Sequence, residues 1–351
     1  MKKLTIKEIA DQAKVSIATV SRVMNHKGGY SQETGQRVNN VIQKNEFGAQ
    51  KTIKNRMQRE SVIGILVPDI TNDYFSRFVQ ELQKAFTPAG YLTVVCNSNG
   101  EEEVEQNYIS LMKKHRASGI ILFSGTNLDL QMSGMPTVYV GREPRKNAKP
   151  NKNIVFIESD NRTGGYLITK ELIEKGCKNI AFISDVLRGS SKMERYQGYC
   201  NALMEAGMEL SQELILKIDE FDLKTIGERL QNSLNKGVKI DGIMCVTDGV
   251  AMETILALEK KGIRVPEDIK VTGFDDSYYA KNFKISVTTI RQQTEKMASL
   301  AAEKLLQLIK GEDTGIRRIV LPVEVITRKS TEEIVDYNPR EIIKRRKGDR
   351  K

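Results

Sequence analysis

The stretch "LTIKEIADQAKVSIATVSRVMN", Leu4 to Asn25, holds two short helical patterns separated by a three-residue break. Thr5 and Glu8 fit a capping box at the start of the first helix, in which the hydroxyl caps and the carboxylate reaches back. Ile6, Ile9, Ala10 and Ala13 recur at helical spacing and give that helix one apolar stripe. Lys14-Val15-Ser16 makes the turn, and Ser16 suits the N-cap of a second helix over Ile17 to Met24. Ala10, Val15, Val20 and Val23 can share one small core, and the small side chain of Ala10 lets the two helix axes approach. Asn25 to Tyr30, "NHKGGY", reads as a glycine-rich loop. Ser31 then caps a third helix to about Asn45, with Val38, Val41 and Ile42 facing inward. Three helices with this short junction define a helix-turn-helix domain over residues 1–47.

Such a domain places its second helix in the major groove. Ile17, Ala18, Ser21, Arg22 and Asn25 share one outward face of that helix. Arg22 can fork onto a guanine edge, and Asn25 can bond a base edge or a phosphate. Thr5, Thr19, Ser21, Ser31 and the backbone N–H groups at helix starts, Ser16 among them, suit phosphate contacts, which set position without reading sequence. A three-helix module that binds protein would carry a similar polar face. Lys14 falls where such turns need a positive φ, a conformation that costs a non-glycine residue about 1 kcal/mol.

Charge separates the two alternatives. The 351 residues carry 55 Lys/Arg and 45 Asp/Glu, net +10. Residues 1–60 hold 12 Lys/Arg against 5 Asp/Glu, whereas residues 61–330 hold 36 against 35. A basic module in front of a near-neutral body points to a polyanion, duplex DNA before a membrane surface. No apolar run approaches the ~18 residues of a membrane span, and "MKKLTIKEIAD" turns charged before any signal core develops, so a cytoplasmic protein is expected. Cys96, Cys177, Cys200 and Cys245 are scattered without a CxxC pair, and His26 and His115 are the two histidines. Neither a metal site, a disulfide framework nor histidine-based catalysis is expected from these. P-loop, GxSxG and HExxH motifs are absent, so no catalytic residues and no cofactor are assigned, and the chain is not expected to be an enzyme. "TGG" at Thr163 to Gly165 opens a helical pattern without a dinucleotide fingerprint, and helix–strand packing accounts for it.

From Val62 onward, strand-length apolar runs alternate with helical patterns. Strands are expected at Val62–Val67, Leu92–Cys96, Gly119–Phe123, Thr137–Val140, Ile154–Ile157, Ile180–Ile183, Gly242–Val246 and Lys270–Phe274. Helices are expected near Phe75–Phe86, Glu103–Lys114, Thr163–Lys175, Met193–Glu205, Leu223–Asn235, Val250–Lys261 and Glu295–Ile309. This alternation is the pattern of parallel α/β sheets. Its length favours two α/β subdomains with a cleft between them. Ligands in such sheets sit beyond the carboxyl ends of the strands. Those ends are polar here: Asp69, Ser124, Ser184-Asp185, Thr247-Asp248 and Asp275-Asp276. The same residue types cap helices, and for Asp248 the cap is the expected role.

The quoted head, continued by "YSQETGQRVNNVIQKNEF", resembles the DNA-binding head of the lactose-repressor (LacI/GalR) family of bacterial regulators. "IGILVPDITNDYF", "SDNRTGGYLITKELIEKGCKNIAFI", "RYQGYCNALMEAGM", "TDGVAMETILALEKKGIRVPEDIKVTGFDD" and "ITRKST" follow in the order expected of that family's body. The resemblance implies an all-α helix-turn-helix head on a periplasmic-binding-protein-like body. The body, residues 62–330, would have one subdomain of about 62–160 with 290–320 and another of 161–289 with 321–330. Residues 48–61 would form a hinge, and residues 331–351 a basic tail. The chain departs from the family pattern at Lys14, where glycine is usual, and at Gly48-Ala49-Gln50, where Pro-Asn is usual after the aromatic Phe47. A hinge helix would wedge a residue into the minor groove at Arg56 or Met57.

In the body, the resemblance implies an effector pocket that contains Asp275 and Arg195. A carboxylate and a guanidinium fork bracket vicinal hydroxyls well, because each hydroxyl both donates and accepts. Phe75 and Phe221 would stack on a sugar ring, Asp69 and Asn72 would close the site, and Thr247 stands where asparagine is common. The expected protein is a homodimeric repressor of a sugar uptake or catabolism operon. It would bind a near-palindromic operator at the nucleoid and be released by a sucrose- or ribose-type sugar. A purine-responsive regulator, a carbon-catabolite regulator with a phosphoprotein corepressor, and a sugar-binding transport protein are the alternatives.

Overall fold

The computed structural model describes residues 6–24, 29–41, 62–123, 134–141, 152–185, 190–218, 222–312 and 314–332. Met1–Val62 with His115–Ala117 forms one compact unit, and the remaining residues form the other. The hinge residues, including Arg56 and Met57, lie outside the described residues, as do Thr5, Asn25, Phe221 and the basic tail from residue 333.

In the first unit, α1 (Ile6–Ala13) and α2 (Ile17–Met24) are followed by α3 (32–41). Ile9, Ala10, Ala13, Val20, Val23 and Val38 are buried together, with Val15, Tyr30 and Val41 packed against them. Ile6 does not join this stripe, being 45% exposed. It is the first described residue of α1. Lys14 takes φ +52°, and Val15 N–H donates to the Ala10 carbonyl at 3.0 Å, so the turn is a left-handed helix end held without glycine.

The body begins at β1 (Val62–Val67) and continues through α4 (Asp73–Phe86), β2 (Leu92–Asn97), α5 (Glu102–Lys114), β3 (Gly119–Leu122), β4 (Thr137–Val140) and β5 (Ile154–Ser159). The chain then builds α6 (Asn161–Glu174), β6 (Ile180–Asp185), α7 (Ser190–Glu205), β7 (Ile215–Ile218), α8 (Leu223–Asn235), β8 (Gly242–Cys245), α9 (Asp248–Glu259), β9 (Lys270–Thr272) and α10 (Tyr278–Asn282). It ends with β10 (Thr289–Arg291), α11 (Thr294–Ile309), β11 (Arg318–Leu321) and β12 (Glu324–Ile326).

Two sheets result. The first runs β11-β5-β4-β3-β1-β2 and the second β7-β6-β8-β9. The pairs β1–β3, β3–β4, β4–β5 and β5–β11 are parallel, as is every pair of the second sheet. Alternate strand residues serve alternate faces. Ile63, Ile65, Val67, Ile121, Phe123, Val138, Val140, Val155 and Ile157 therefore meet one layer, made by Phe78, Leu82 and Phe86 of α4 and Met297, Ala301 and Leu305 of α11. The second sheet has its own core, in which Ile180, Phe182, Ile243, Cys245 and Val271 lie between helices that carry Ile168, Leu172, Leu203, Leu230, Ile255 and Leu258.

The chain passes between the two sheets three times, and the passages are fastened together. The first, at Asp160, donates its N–H to the Leu321 carbonyl of the third at 2.9 Å. The second and third pair as the antiparallel ribbon β10–β12. In both sheets the strand order reverses next to the first strand in sequence, between β1 and β3 and between β6 and β8. At such points the flanking helices diverge and leave a crevice at the carboxyl ends.

Leu305 is fully buried and rests on Gly119, where an added Cβ would stand 2.8 Å from Leu305 Cδ1. Leu305→Ala should lower the unfolding free energy of the body by about 2–5 kcal/mol, read from urea unfolding followed by circular dichroism.

Candidate functional site

Two constellations carry functional chemistry. In the first unit, Ser16 caps α2: its Oγ accepts Thr19 N–H at 3.2 Å and lies 2.9 Å from Thr19 Oγ1. Ser31 repeats the arrangement with Thr34, at 3.2 and 2.8 Å. These caps fix both helix starts and leave further backbone N–H groups for an anion. Ile17 (52% exposed), Ala18, Ser21 and Arg22 lie on the exposed face of α2, as their spacing predicts. A Cβ at Gly29 would lie 3.4 Å from Arg22 Nη1, so the guanidinium borders the loop after α2. The Tyr30 ring packs against the small core and Gly35, so in this structure it supports the head.

In the body, Arg195 and Asp275 come together, and each is 7% exposed. Arg195 sits in α7 near its crossing with α6. There an added Cβ on Gly165 would fall 2.2 Å from the Arg195 carbonyl oxygen, and one on Gly198 would fall 2.2 Å from the Arg162 carbonyl oxygen. Of the "TGG" glycines, Gly165 serves helix–helix contact, whereas Gly164 faces the Phe274 ring and Ile290 of β10, the helix–strand packing expected there. This backbone approach aims Arg195. Its Nε donates to Asn161 Oδ1 at 2.9 Å, and its Nη1 donates to the Val246 carbonyl at 2.7 Å. Its guanidinium carbon lies 3.6 Å from the Phe274 ring centroid, and its Nη2 lies 3.8 Å from Asp275 Oδ1.

Asp275 follows β9 on a turn with unusual backbone: φ is +127° at Asp275 and +53° at Asp276. Asp248 holds that turn. Its Oδ2 accepts Ser277 N–H at 2.7 Å, its Oδ1 accepts the Thr289 hydroxyl at 2.5 Å, and its N–H donates to the Phe274 carbonyl at 2.8 Å. The α9 cap is instead Thr247, whose Oγ1 accepts Val250 N–H at 3.4 Å. Asp248 is thus a buried clamp rather than the expected cap, because the residue before it already occupies the capping position. Gly273 makes room for it, since a Cβ there would meet Asp248 Oδ1 at 2.3 Å.

Asp275 Oδ1 also accepts Gln292 Nε2 at 2.7 Å. Burial pushes the Asp275 carboxyl up to about 7, opposed by Arg195 and assisted by Asp248. Burial likewise raises the Asp248 carboxyl.

The first subdomain supplies an aromatic wall. Phe75 stands edge-on to Tyr74 at 5.2 Å and to Phe123 at 5.6 Å. Burial raises the Tyr74 phenol, with Asp275 adding to the shift and Arg195 lessening it, so its hydroxyl lies within the field of the pair. Asp69 is exposed, and its carboxylate is held by the Thr71 N–H and hydroxyl at 2.9 and 2.6 Å. Asn72 caps α4 by accepting Tyr74 N–H at 3.0 Å. Across the cleft, Tyr278 N–H donates to Asp73 Oδ2 at 2.8 Å, and Arg77 Nη1 donates to the Asp276 carbonyl at 3.3 Å. Sequence reasoning missed Tyr74, Asn161, Phe274 and Gln292, and gave Asp248 the role of a cap. The doubled aromatic at Tyr74-Phe75 was a signal for the first of these; the others depend on contacts between distant segments.

Comparison with known proteins identifies the family. The lacI family of bacterial regulatory proteins matches residues 5–49, and the periplasmic binding protein-like domain matches residues 169–331. The HTH-type transcriptional regulator RegA of Clostridium saccharobutylicum is 34% identical over 93% of this chain and 99% of its own. The ribose operon repressor of Halalkalibacterium halodurans is 28% identical over 93% and 97%. A solved complex of the transcriptional regulator CelR with cellobiose superposes with a TM-score of 0.69 at 27% identity, covering 93% of this chain and all of that one. The fold is therefore that of a DNA-binding head on a periplasmic-binding-protein-like body. The chain belongs to the LacI family of bacterial transcriptional regulators.

Raising the Asp275 carboxyl above its unfolded value means that the native state binds more protons than the unfolded chain between about pH 4 and 7. Stability should therefore fall as pH rises through that window and level off above it. Asp275→Asn should remove this component, leaving the variant with a flatter thermal midpoint against pH than the parent.

Proposed function

We propose that this chain is a homodimeric transcriptional repressor of a sugar uptake or catabolism operon, released from its operator by a small neutral sugar. The observation that carries this reading is the buried Arg195–Asp275 pair, 3.8 Å apart beside the Tyr74-Phe75 wall, in a chain with a helix-turn-helix head. A guanidinium offers donors and a carboxylate offers acceptors, so two adjacent hydroxyls can satisfy both groups at once. Aromatic edges and faces suit the C–H surface of a sugar ring. Phe221 and Thr247 would complete the pocket from the second subdomain, and Asp69 and Asn72 from the first. Arg22, with Asn25, Ile17 and Ala18, would read bases. Thr5, Ser16, Thr19, Ser21, Tyr30 and Ser31 would hold phosphates, and Arg56 or Met57 would enter the minor groove. The reading places the protein in the cytoplasm without catalytic activity. No described helix is long and apolar enough to cross a membrane, and no described group of three or more His, Cys, Asp or Glu could hold a metal.

Dimerisation has a candidate surface. β2 ends the first sheet, and its Leu92 is 65% exposed, with Val94 and Val95 also exposed. An apolar edge strand left in water invites pairing with another chain. A two-fold dimer would cover it and present two heads to a near-palindromic site. The effector can weaken DNA binding only by its difference in affinity for the two states, typically 1–3 kcal/mol.

Three experiments test these assignments. Duplexes recovered by the full-length protein from a random-sequence pool serve as operator, and sugars, sugar phosphates and purines are screened by thermal shift. A sugar should raise the melting temperature and release the duplex, and Asp275→Ala should keep duplex affinity while losing release; stabilisation by a purine alone would replace the sugar reading. Arg22→Ala should lower duplex affinity by about 1–3 kcal/mol and relax preference at one position. For the dimer, Leu92→Glu with Val94→Glu should sediment as a monomer and bind the duplex at least about tenfold more weakly, a loss of about 1.4 kcal/mol.

A further inference from the structure

The α5 helix ends in an exposed run, Lys113-Lys114-His115-Arg116, immediately before β3. Lys113 and Lys114 in the last turn complement the negative end of the helix, which explains two cations as ordinary helix chemistry. Arg116 has no such explanation. It takes φ +54°, a left-handed conformation that disfavours a side chain. Six other body helices, α4, α6, α7, α8, α9 and α11, are followed by glycines at positive φ: Gly90, Gly176, Gly207, Gly237, Gly262 and Gly311. Each has open space where a Cβ would be, so backbone conformation alone favours glycine there. At α5 an arginine stands in that role, exposed to solvent, and none of the four residues in the run is paired with a described carboxylate.

The location of the run gives it a partner. β1 and β3 are parallel neighbours, with Ile63 opposite Gly119, so the run lies beside the start of β1. That is where the polypeptide enters the body from its basic first 60 residues. Exposed Lys152, before β5, and Lys310, after α11, belong to the same end of the sheet, where Glu312 is an exposed acid. The opposite, carboxyl ends of the strands carry the effector residues.

We infer that Lys113, Lys114 and Arg116, with His115, form a second DNA contact, outside the helix-turn-helix, on the sugar–phosphate backbone of duplex flanking the operator. The inference rests on the reading that the head binds an operator. Unpaired, exposed cations release condensed counterions when they meet phosphates, and they do so without reading sequence.

The test uses the full-length protein carrying Lys113→Gln, Lys114→Gln and Arg116→Gly. Pool-selected duplexes are made at about 20 base pairs, enough for two half-sites, and at about 60. Arg116→Gly relieves the left-handed strain, so the variant should melt no lower than the parent. On the long duplex its log K against log salt slope should become shallower by about 0.9 for each phosphate that the run no longer neutralises. On the short duplex the parent and variant should coincide, and the preference for selected over random sequence should be unchanged. An unchanged slope on the long duplex overturns the inference while leaving the operator reading intact. Failure of the parent itself to select any duplex overturns that reading and the inference with it.

Discussion

A guanidinium removed from water must be answered on every side, and Arg195 governs what lies around it. An unpaired charge at that depth would cost several kcal/mol. The structure meets this demand with an amide oxygen from α6, a carbonyl after β8, the Phe274 face and the Asp275 carboxylate, groups drawn from separate segments of the chain. None of these can shift independently. The α6–α7 approach through Gly165 and Gly198 fixes the arginine backbone, and Asp248 fixes the turn that carries Phe274 and Asp275. A carboxyl near neutrality beside a permanent cation makes the pair electrically soft. Either protonation state of Asp275 can accompany Arg195, so a ligand with hydroxyls of both senses meets no fixed mismatch.

The turn that bears Asp275 also reaches outward. Asp276 binds Arg291 Nε at 2.6 Å and pairs with Arg328, tying it to β10 and to the segment after β12. Arg291 continues to Glu324 at 2.9 Å. From the other subdomain, Arg77 donates to the Asp276 carbonyl and pairs with Glu295 at 3.0 Å. The residue beside the candidate effector carboxylate is therefore fastened to the strands that cross between subdomains and to α4. The turn that carries Asp275 is thus joined to both subdomains through its neighbour Asp276, a contiguous network of the kind that coupling between sites can use.

The sequence made the strand–helix alternation legible because buried parallel strands are nearly continuous apolar runs. "VIGILV", "GIIL" and "GIMC" declare themselves in this way. It did not reveal β7, β10, β11 or β12, which are three or four residues long and are strands because a neighbour supplies the hydrogen bonds. Arg195 and Asp275 were legible through family resemblance. Their supports were not: Gln292 and Asn161 are ordinary amides until folding brings them against the pair, and Asp248 reads locally as a cap because Thr247 and Asp248 are both good caps. Lys14 was legible for the opposite reason, since its left-handed φ follows from the local spacing of the turn alone.

Charge and shape divide the work between the two ends of this chain. The first 60 residues hold most of the net positive charge, and contacts to phosphate weaken steeply with salt. The body's candidate pocket is desolvated and close to balanced, so salt reaches it far less. A neutral sugar adds no charge to the molecule and cannot alter the attraction of the head for DNA at a distance. The influence of such an effector would be geometric, carried by a difference in how tightly two arrangements of the body hold it. A rigidly supported arginine would sharpen that difference: a ligand fitted to one placement of α4 against the 275–278 turn would not be matched by side-chain drift in another, because Arg195 is held by Asn161, the Val246 carbonyl and the Phe274 ring.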